Sequence, residues 1–99
     1  MINGWTAGPF GTSRPQVEIL SGIVHLKGAI AGGTAAEAFV LPAAYRPATN
    51  VFVPVDLCNA TNGRLDITPS GTVSVEQQSG DPFSNAQCFT SLEGASFAP

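Results

Sequence analysis

The alternation of apolar and polar residues along this chain predicts a protein built from short β-strands. Four segments alternate clearly: Gln16–Leu20, Val51–Leu57, Arg64–Thr68 and Thr72–Gln77. This period of two is typical of a strand with one buried face. The longest run, Ile23–Ala31, is predicted to be a single strand, with Val24 and Leu26 facing inward and His25 and Lys27 facing outward.

The remaining segments predict further short strands joined by turns. Three such strands are expected at Glu37–Leu41, Gln87–Leu92 and Ala95–Phe97. The Ala-rich stretch Thr34–Phe39 is the one helical candidate, and it offers at most one turn because Pro42 follows it. Asn62-Gly63 predicts a tight turn and Pro69-Ser70-Gly71 a hairpin loop. Pro54 cannot donate to a central ladder, which predicts an edge strand or a bulge there.

Together these elements predict an all-β fold. We expect an antiparallel β-sandwich of seven to eight short strands, with jelly-roll and Greek-key connections both open. Residues 1–15 are expected to form an irregular segment that packs on the sandwich or on a neighbouring subunit, and residues 16–99 the sandwich domain. The predicted core consists of the inward-facing apolar residues Val17, Ile19, Val24, Leu26, Ile30, Val51, Val53, Val55, Leu57, Leu65, Ile67, Val73, Val75 and Leu92.

The chain carries few charges, which favours a surface that is partly covered by other subunits. Charged residues make up 11% of the chain, against about 25% in a typical domain. Interface cores are depleted in charge; a monomer with a Thr/Ser/Asn-rich surface is the alternative. The four basic residues are dispersed and the formal net charge is −3, which argues against nucleic-acid binding. No apolar run approaches the roughly 20 residues needed to cross a bilayer, so no membrane insertion is expected.

The two cysteines allow either one disulfide or two thiols. An intracellular origin favours thiols, so we expect Cys58 and Cys88 to be reduced and buried. Their spacing fits no zinc pattern, and the single histidine, His25, cannot complete a Cys₂His₂ site. No metal and no cofactor are predicted.

Catalytic chemistry finds little support in the residues. His25 sits in the middle of a strand with no nucleophile motif near it. Asp56 and Asp66 flank the predicted turn and are candidates to face each other, as carboxylates that cleave glycosides or hold calcium do. Ordinary sheet surfaces carry such residues too, so we predict no catalytic residues and no enzymatic activity. Asn59-Ala60-Thr61 fits a glycosylation acceptor, but we interpret it as turn chemistry.

Several segments, in this order, resemble a known family. They are Ser13-Arg14-Pro15, Gly22-Ile23-Val24-His25-Leu26-Lys27-Gly28, Leu41-Pro42-Ala43-Ala44-Tyr45-Arg46-Pro47, the Gly71-x-Val73 hairpin and Ser91-Leu92-Glu93-Gly94-Ala95-Ser96-Phe97. The arrangement resembles the C-terminal tip domain of bacteriophage tail fibre and minor tail proteins. That resemblance implies a viral, homotrimeric β-sandwich that serves host attachment or virion assembly. It implies a place in the virion tail, assembled in the bacterial host cytoplasm beside other tail proteins.

The resemblance and the residue chemistry together suggest where contacts lie. Trp5, His25, Lys27, Tyr45 and Arg46 are candidate subunit contacts. Exposed aromatic and polar loop residues suit recognition of a host-surface glycan or protein. The candidate receptor-facing loop residues are Thr34, Asn59, Thr61, Asn62, Asp81 and Phe83. The alternatives are a trimerisation or decoration module that recognises no receptor, and a monomeric carbohydrate-binding module.

Overall fold

The protein is built from short β-strands, as its alternating pattern predicts. The computed structural model describes all residues from Met1 to Pro99. The strands are β1 (Thr6–Ala7), β2 (Gln16–Leu20), β3 (Ile23–Lys27), β4 (Ala29–Ala31), β5 (Glu37–Val40), β6 (Val51–Asp56), β7 (Asn62–Ile67), β8 (Thr72–Gln77), β9 (Thr90–Ser91) and β10 (Ser96–Phe97). One short helix, α1, spans Ser84–Cys88, and single 3₁₀ turns lie at Pro9–Gly11, Ala43–Tyr45 and Cys58–Ala60. The predicted all-β class is confirmed.

The strands form three antiparallel sheets. The largest has the order β5-β8-β7-β6, and the two smaller sheets have the orders β10-β3-β2 and β1-β4-β9. Consecutive strands such as β7 and β8 are neighbours because antiparallel pairs can be joined by tight turns. The strand β6 lies at an edge of its sheet, which is one of the two alternatives that Pro54 predicted. The jelly-roll or Greek-key connection of a sandwich stays a prediction.

One apolar core joins the three sheets. Eleven predicted core residues are buried: Val24, Leu26, Ile30, Val53, Val55, Leu57, Leu65, Ile67, Val73, Val75 and Leu92. Ile19 was predicted wrongly, since it is 42% exposed, and Val17 and Val51 are only half-buried. Both Val17 and Ile19 lie on β2, an edge strand that no further strand covers on one side.

The core also contains side chains whose segments carry no clear period. They are Trp5, Ala29, Ala38, Leu41, Ala86, Ala95 and Phe97. The N-terminal segment is therefore part of the fold: β1 pairs with β4, and Trp5 packs edge-on against Phe83, with ring centres 6.4 Å apart. The Trp5 indole N–H donates to the Ala35 carbonyl over 2.9 Å, which satisfies its one polar group.

Three predicted elements differ in extent or type. The long strand Ile23–Ala31 divides at Gly28, whose φ of 95° interrupts the extended backbone. The predicted strand Gln87–Leu92 is helical in its first residues and extended only at β9. Its apolar positions are too few to distinguish the period of a helix from that of a strand. The helical candidate at residues 34–39 is a bend followed by β5.

The hairpin between β6 and β7 differs from its prediction. Asn62 and Gly63 lie within β7, where Asn62 pairs with Asp56. The chain instead reverses through Cys58–Ala60, with positive φ at Asn59 and Ala60. The Thr61 hydroxyl closes this turn by donating to the Cys58 carbonyl over 2.8 Å. The second predicted hairpin loop is correct: Gly71 has a φ of 89° and donates its N–H to the Thr68 carbonyl.

The cysteines correct another expectation. Cys58 and Cys88 form a disulfide, with Cα atoms 5.7 Å apart. They are half-buried and exposed, respectively, rather than buried. The bond ties the turn after β6 to the end of α1, two segments that are 30 residues apart in sequence. Their proximity depends on the folded sheets, which sequence spacing does not reveal.

Candidate functional site

Gly28 is the point where three distant segments of the chain meet. Its N–H donates to the Glu93 carboxylate over 2.6 Å, and its carbonyl accepts from the Leu92 N–H over 2.8 Å. A Cβ at this position would collide with the backbone carbonyls of Ser13 and Arg14. This Gly28 junction therefore joins the SRP segment, the GIVHLKG strand and the SLEGASF terminus, which is also held by β10 pairing with β3.

A second junction forms around Gly71. The Leu41 N–H donates to the Gly71 carbonyl over 2.8 Å, and the Arg46 Nε donates to the Leu41 carbonyl, also over 2.8 Å. A side chain at Gly71 would meet Arg46. The LPAAYRP turn is thus fastened to the β7–β8 hairpin, and these motif residues act as a structural frame.

The predicted subunit-contact residues His25 and Lys27 lie on one sheet face. In the strand register His25 stands between Glu18 and Ser96, and Lys27 is opposite Gln16. His25 is half-buried and Lys27 is exposed. A depression of about 280 Å³ lies here, with Glu93 also in its wall.

The other three predicted subunit contacts already pack against or bond to residues of their own chain, to different degrees. Trp5 is only 4% exposed, so its side chain belongs to the core and presents little surface to a neighbouring subunit. Arg46 is half-buried and bonded to the Leu41 carbonyl. Tyr45 is half-buried against the core cluster. The last two remain only partly accessible to a partner.

The predicted receptor-facing residues lie on segments that meet around α1. The disulfide joins the turn that contains Asn59 to the end of α1, and Gln87 of α1 hydrogen-bonds to Gly32 and Gly33, next to Thr34. Asn59 is exposed and lies 3.5 Å from the Asn85 side chain. Asn62 is exposed but belongs to β7 rather than to a loop. Thr34 donates its hydroxyl to the Asn3 carbonyl, and Thr61 uses its hydroxyl in the turn after β6.

The segment before α1 holds the last two candidates. Asp81 is half-buried, and its N–H donates to the Gln78 carbonyl over 2.9 Å. Phe83 packs against Trp5 and the core. Its half-buried ring therefore supports the fold.

The outer face of the four-stranded sheet holds a cluster that sequence reasoning did not assemble. Arg64 lies 3.0 Å from Asp66 and also pairs with Glu76. Its guanidinium stands 4.5 Å from the centre of the Phe52 ring, in cation–π geometry. The alternation of each strand placed these residues outward, but only the register β6-β7-β8 brings them together. Asp56 and Asp66 are not opposed, because Asp66 pairs with Phe52 and Asp56 with Asn62.

Asp66 has an unusual environment within this cluster. Burial raises the pKa of its carboxyl, Arg64 lowers the pKa, and Glu76 raises it further. Its Oδ1 atom is buried and has no well-aligned hydrogen-bond donor. The ion pair with Arg64 therefore offsets only part of the cost of removing the carboxylate from water.

An apolar groove of about 190 Å³ lies beside the edge strands β2 and β5. Val17, Phe39, Val40 and Met1 are among its lining residues. Val40 and Met1 are 49% and 53% exposed. Apolar side chains are thus left in contact with solvent at this edge.

Comparisons with known proteins give no family for the chain: no family model, curated protein or solved structure matches it. No group of three or more His, Cys, Asp and Glu residues is placed to hold a metal ion. No helix has the length and apolarity needed to span a membrane.

Proposed function

We propose that this chain is a non-catalytic attachment and assembly domain at the tip of a bacteriophage tail fibre or minor tail protein. In this proposal it forms a homotrimer in the virion tail and contacts a host-surface glycan or protein. The Gly28 junction carries the proposal. The segments that resemble the phage family come from the start, middle and end of the chain, and at Gly28 three of them contact one another.

The surface chemistry agrees with an assembled domain. Large apolar side chains remain exposed, with Phe10 at 78% and Leu20 at 55%. Charged residues are scarce overall. Apolar anchors with little charge around them are typical of the centre of a subunit interface.

The disulfide favours a protein that functions outside the reducing cytoplasm. Such bonds persist on extracellular and virion surfaces. This observation suits a tail tip and also a monomeric carbohydrate-binding module, which is the second candidate.

Binding to cells tests the proposed attachment. The purified domain, fluorescently labelled, would be measured on a panel of bacterial strains, before and after periodate oxidation of glycans or protease treatment. We expect saturable binding to some strains, and we expect either periodate or protease treatment to abolish that binding. Trp5→Ala, which removes a core side chain, serves as the misfolded control.

Light scattering after size exclusion separates the candidates. A trimer that binds cells supports the proposal, and a trimer that binds no strain favours a trimerisation or decoration module. A protein that is monomeric at every concentration measured and binds soluble oligosaccharides favours the carbohydrate-binding module.

A further inference from the structure

A polar groove lies at one end of the four-stranded sheet, beside the turn after β6. Its volume is about 420 Å³, which falls in the range of about 300–1,000 Å³ that is usual for small-molecule sites. No apolar side chain lines it, so a ligand that fits the groove is polar on the sides that face the walls. We call it the amide groove, and its lining residues are Asn62, Gly63, Arg64, Glu76, Gln78 and Ser79.

The neutral polar side chains of the amide groove are not used by the fold. Elsewhere in the chain, Thr61 and Gln87 donate side-chain hydrogen bonds to backbone carbonyls. Asn62, Gln78 and Ser79 are instead exposed, and their side chains form no hydrogen bond within the chain. Two carboxamides and one hydroxyl are thus left to donate and accept hydrogen bonds with a ligand.

The backbone that carries the two carboxamides is held in place. The Gln78 N–H donates to the Asn62 carbonyl over 3.1 Å, and the Gln78 carbonyl accepts from the Asp81 N–H over 2.9 Å. Asn62 is also paired in register with Asp56 of β6. A ligand therefore orders little more than the side chains themselves, which lowers the entropy that binding costs.

The charged residues of the amide groove disfavour an anionic ligand. Arg64 is the one cation in the lining, and it pairs with Asp66 and Glu76. Its guanidinium also stands 4.5 Å from the centre of the Phe52 ring. An anion would meet no unpaired cation here and two nearby carboxylates, and like charges opposed across an interface are repulsive. A neutral ligand encounters no such repulsion.

The lining also disfavours a protein partner. Binding energy between proteins is concentrated in aromatic and other large side chains that fill dry pockets at the centre of an interface. The amide groove has no apolar wall to receive such a side chain. Its chemistry instead matches a compact molecule that carries hydroxyl groups on several sides.

We propose that the amide groove binds a neutral saccharide of the host surface. Sugar hydroxyls both donate and accept hydrogen bonds, so they suit carboxamides, a carboxylate and a guanidinium together. Phe52 and Pro54 are exposed on the neighbouring strand β6 and share this sheet face, where they offer apolar contacts to the C–H groups of a longer saccharide. The inference rests on the proposed host attachment, and it names the class of receptor and its site.

Removal of the two carboxamides tests the site. The groove variant carries Asn62→Ala and Gln78→Ala, and its binding to the panel of bacterial strains is measured with the labelled domain. We expect its Kd for cells to rise at least about tenfold, because several hydrogen bonds to the saccharide are lost. Circular dichroism should show a folded protein, since the backbone hydrogen bonds of both positions are kept.

A matched control removes the same chemistry elsewhere. The control variant carries Asn50→Ala and Gln16→Ala, which are likewise one asparagine and one glutamine, both exposed and both outside the amide groove. We expect it to keep the wild-type Kd for cells. An equal loss of binding by the two variants would remove the assignment to the amide groove.

Competition identifies the class of ligand. Polysaccharide extracted from a strain that the wild-type protein binds would be separated by anion exchange into a neutral and an anionic fraction. The neutral fraction should displace the labelled domain from cells, and the anionic fraction should not. Displacement by the anionic fraction alone, or by neither fraction, would contradict a neutral saccharide.

The outcomes separate failure of the saccharide site from failure of host attachment. A groove variant that keeps the wild-type Kd would overturn the site while attachment stands. The same holds for cell binding that protease abolishes and periodate leaves intact, which would assign the receptor to a protein. A wild-type protein that binds no strain would overturn both proposals.

Discussion

At the residue scale, glycines control how closely the segments of this protein approach. Gly28 and Gly94 both have positive φ, at 95° and 79°, but they differ in surroundings. Gly28 is buried against the Ser13 and Arg14 carbonyls, whereas a Cβ at Gly94 would meet no atom within 4 Å. The pair therefore separates the cost of backbone strain from the cost of a clash.

We expect Gly94→Ala to lower the free energy of unfolding by about 1–2 kcal/mol, the cost of positive φ in a residue with a Cβ. Gly28→Ala should lower it by about 3–4 kcal/mol, because overpacking against backbone adds to that strain. Urea unfolding followed by circular dichroism measures both. Equal effects of the two substitutions would mean that the Gly28 junction is looser than described.

The carboxyl of Asp66 predicts a pH dependence. Since burial raises its pKa above 3.8 in the folded protein, the folded state holds this proton more tightly than the unfolded chain does. Unfolding then releases a proton between pH 3.8 and the raised pKa, and this group makes stability fall as pH rises through that window.

Asp66→Asn removes this group and should remove its contribution. The urea midpoints of the wild-type protein and the variant would be measured from about pH 3 to about pH 7. We expect the wild-type midpoint to decline relative to that of the variant as pH rises through the window. A difference that stays constant across the series would contradict a raised pKa.

At the scale of elements, the helix α1 is stabilised by a disulfide and a side-chain hydrogen bond that its sequence pattern does not predict. Its five residues are too few for a stable isolated helix. The disulfide from Cys88 fixes its end to the turn after β6, and the buried Thr90 hydroxyl donates to the Ala86 carbonyl over 2.9 Å. Tertiary contacts thus impose a helix whose last two residues, Gln87 and Cys88, the apolar pattern predicted to be extended.

Removing the disulfide tests this attachment. Cys58→Ser with Cys88→Ser should lower the free energy of unfolding by about 3–4 kcal/mol, since the bond closes a loop with a sequence separation of 30. The wild-type protein treated with a reductant should match the double variant. If mass spectrometry of the wild-type protein that has not been treated with a reductant finds two free thiols, the disulfide itself is refuted.

At the scale of the whole molecule, carboxylates exceed cations on the outer face of the four-stranded sheet, where Arg64 is the one cation and pairs with Asp66 and Glu76. Contacts between exposed charges weaken with salt, because the screening length falls from about 10 Å at 0.1 M to about 3 Å at 1 M. We therefore expect the dissociation constant of the assembled protein to rise with sodium chloride, measured by light scattering. Assembly that strengthens with salt would indicate an apolar interface instead.

The sequence by itself determined the all-β class, most of the core and the hairpin loop at Gly71, because these depend on local alternation and turn chemistry. Pro54, which lacks an N–H, restricted β6 to an edge or a bulge, and the sheet order decided for the edge. The sequence pointed to His25 and Lys27 on one face for the same reason, since successive side chains of a strand alternate.

Only the tertiary structure decided which distant residues meet. The burial of Trp5, the bond between Cys58 and Cys88, and the cluster of Phe52, Arg64 and Asp66 depend on strand register and sheet packing. Ile19 shows the converse, because its alternation predicts burial but its edge strand leaves it exposed. Register and coverage are properties of pairs of elements, so the pattern within one segment does not contain them.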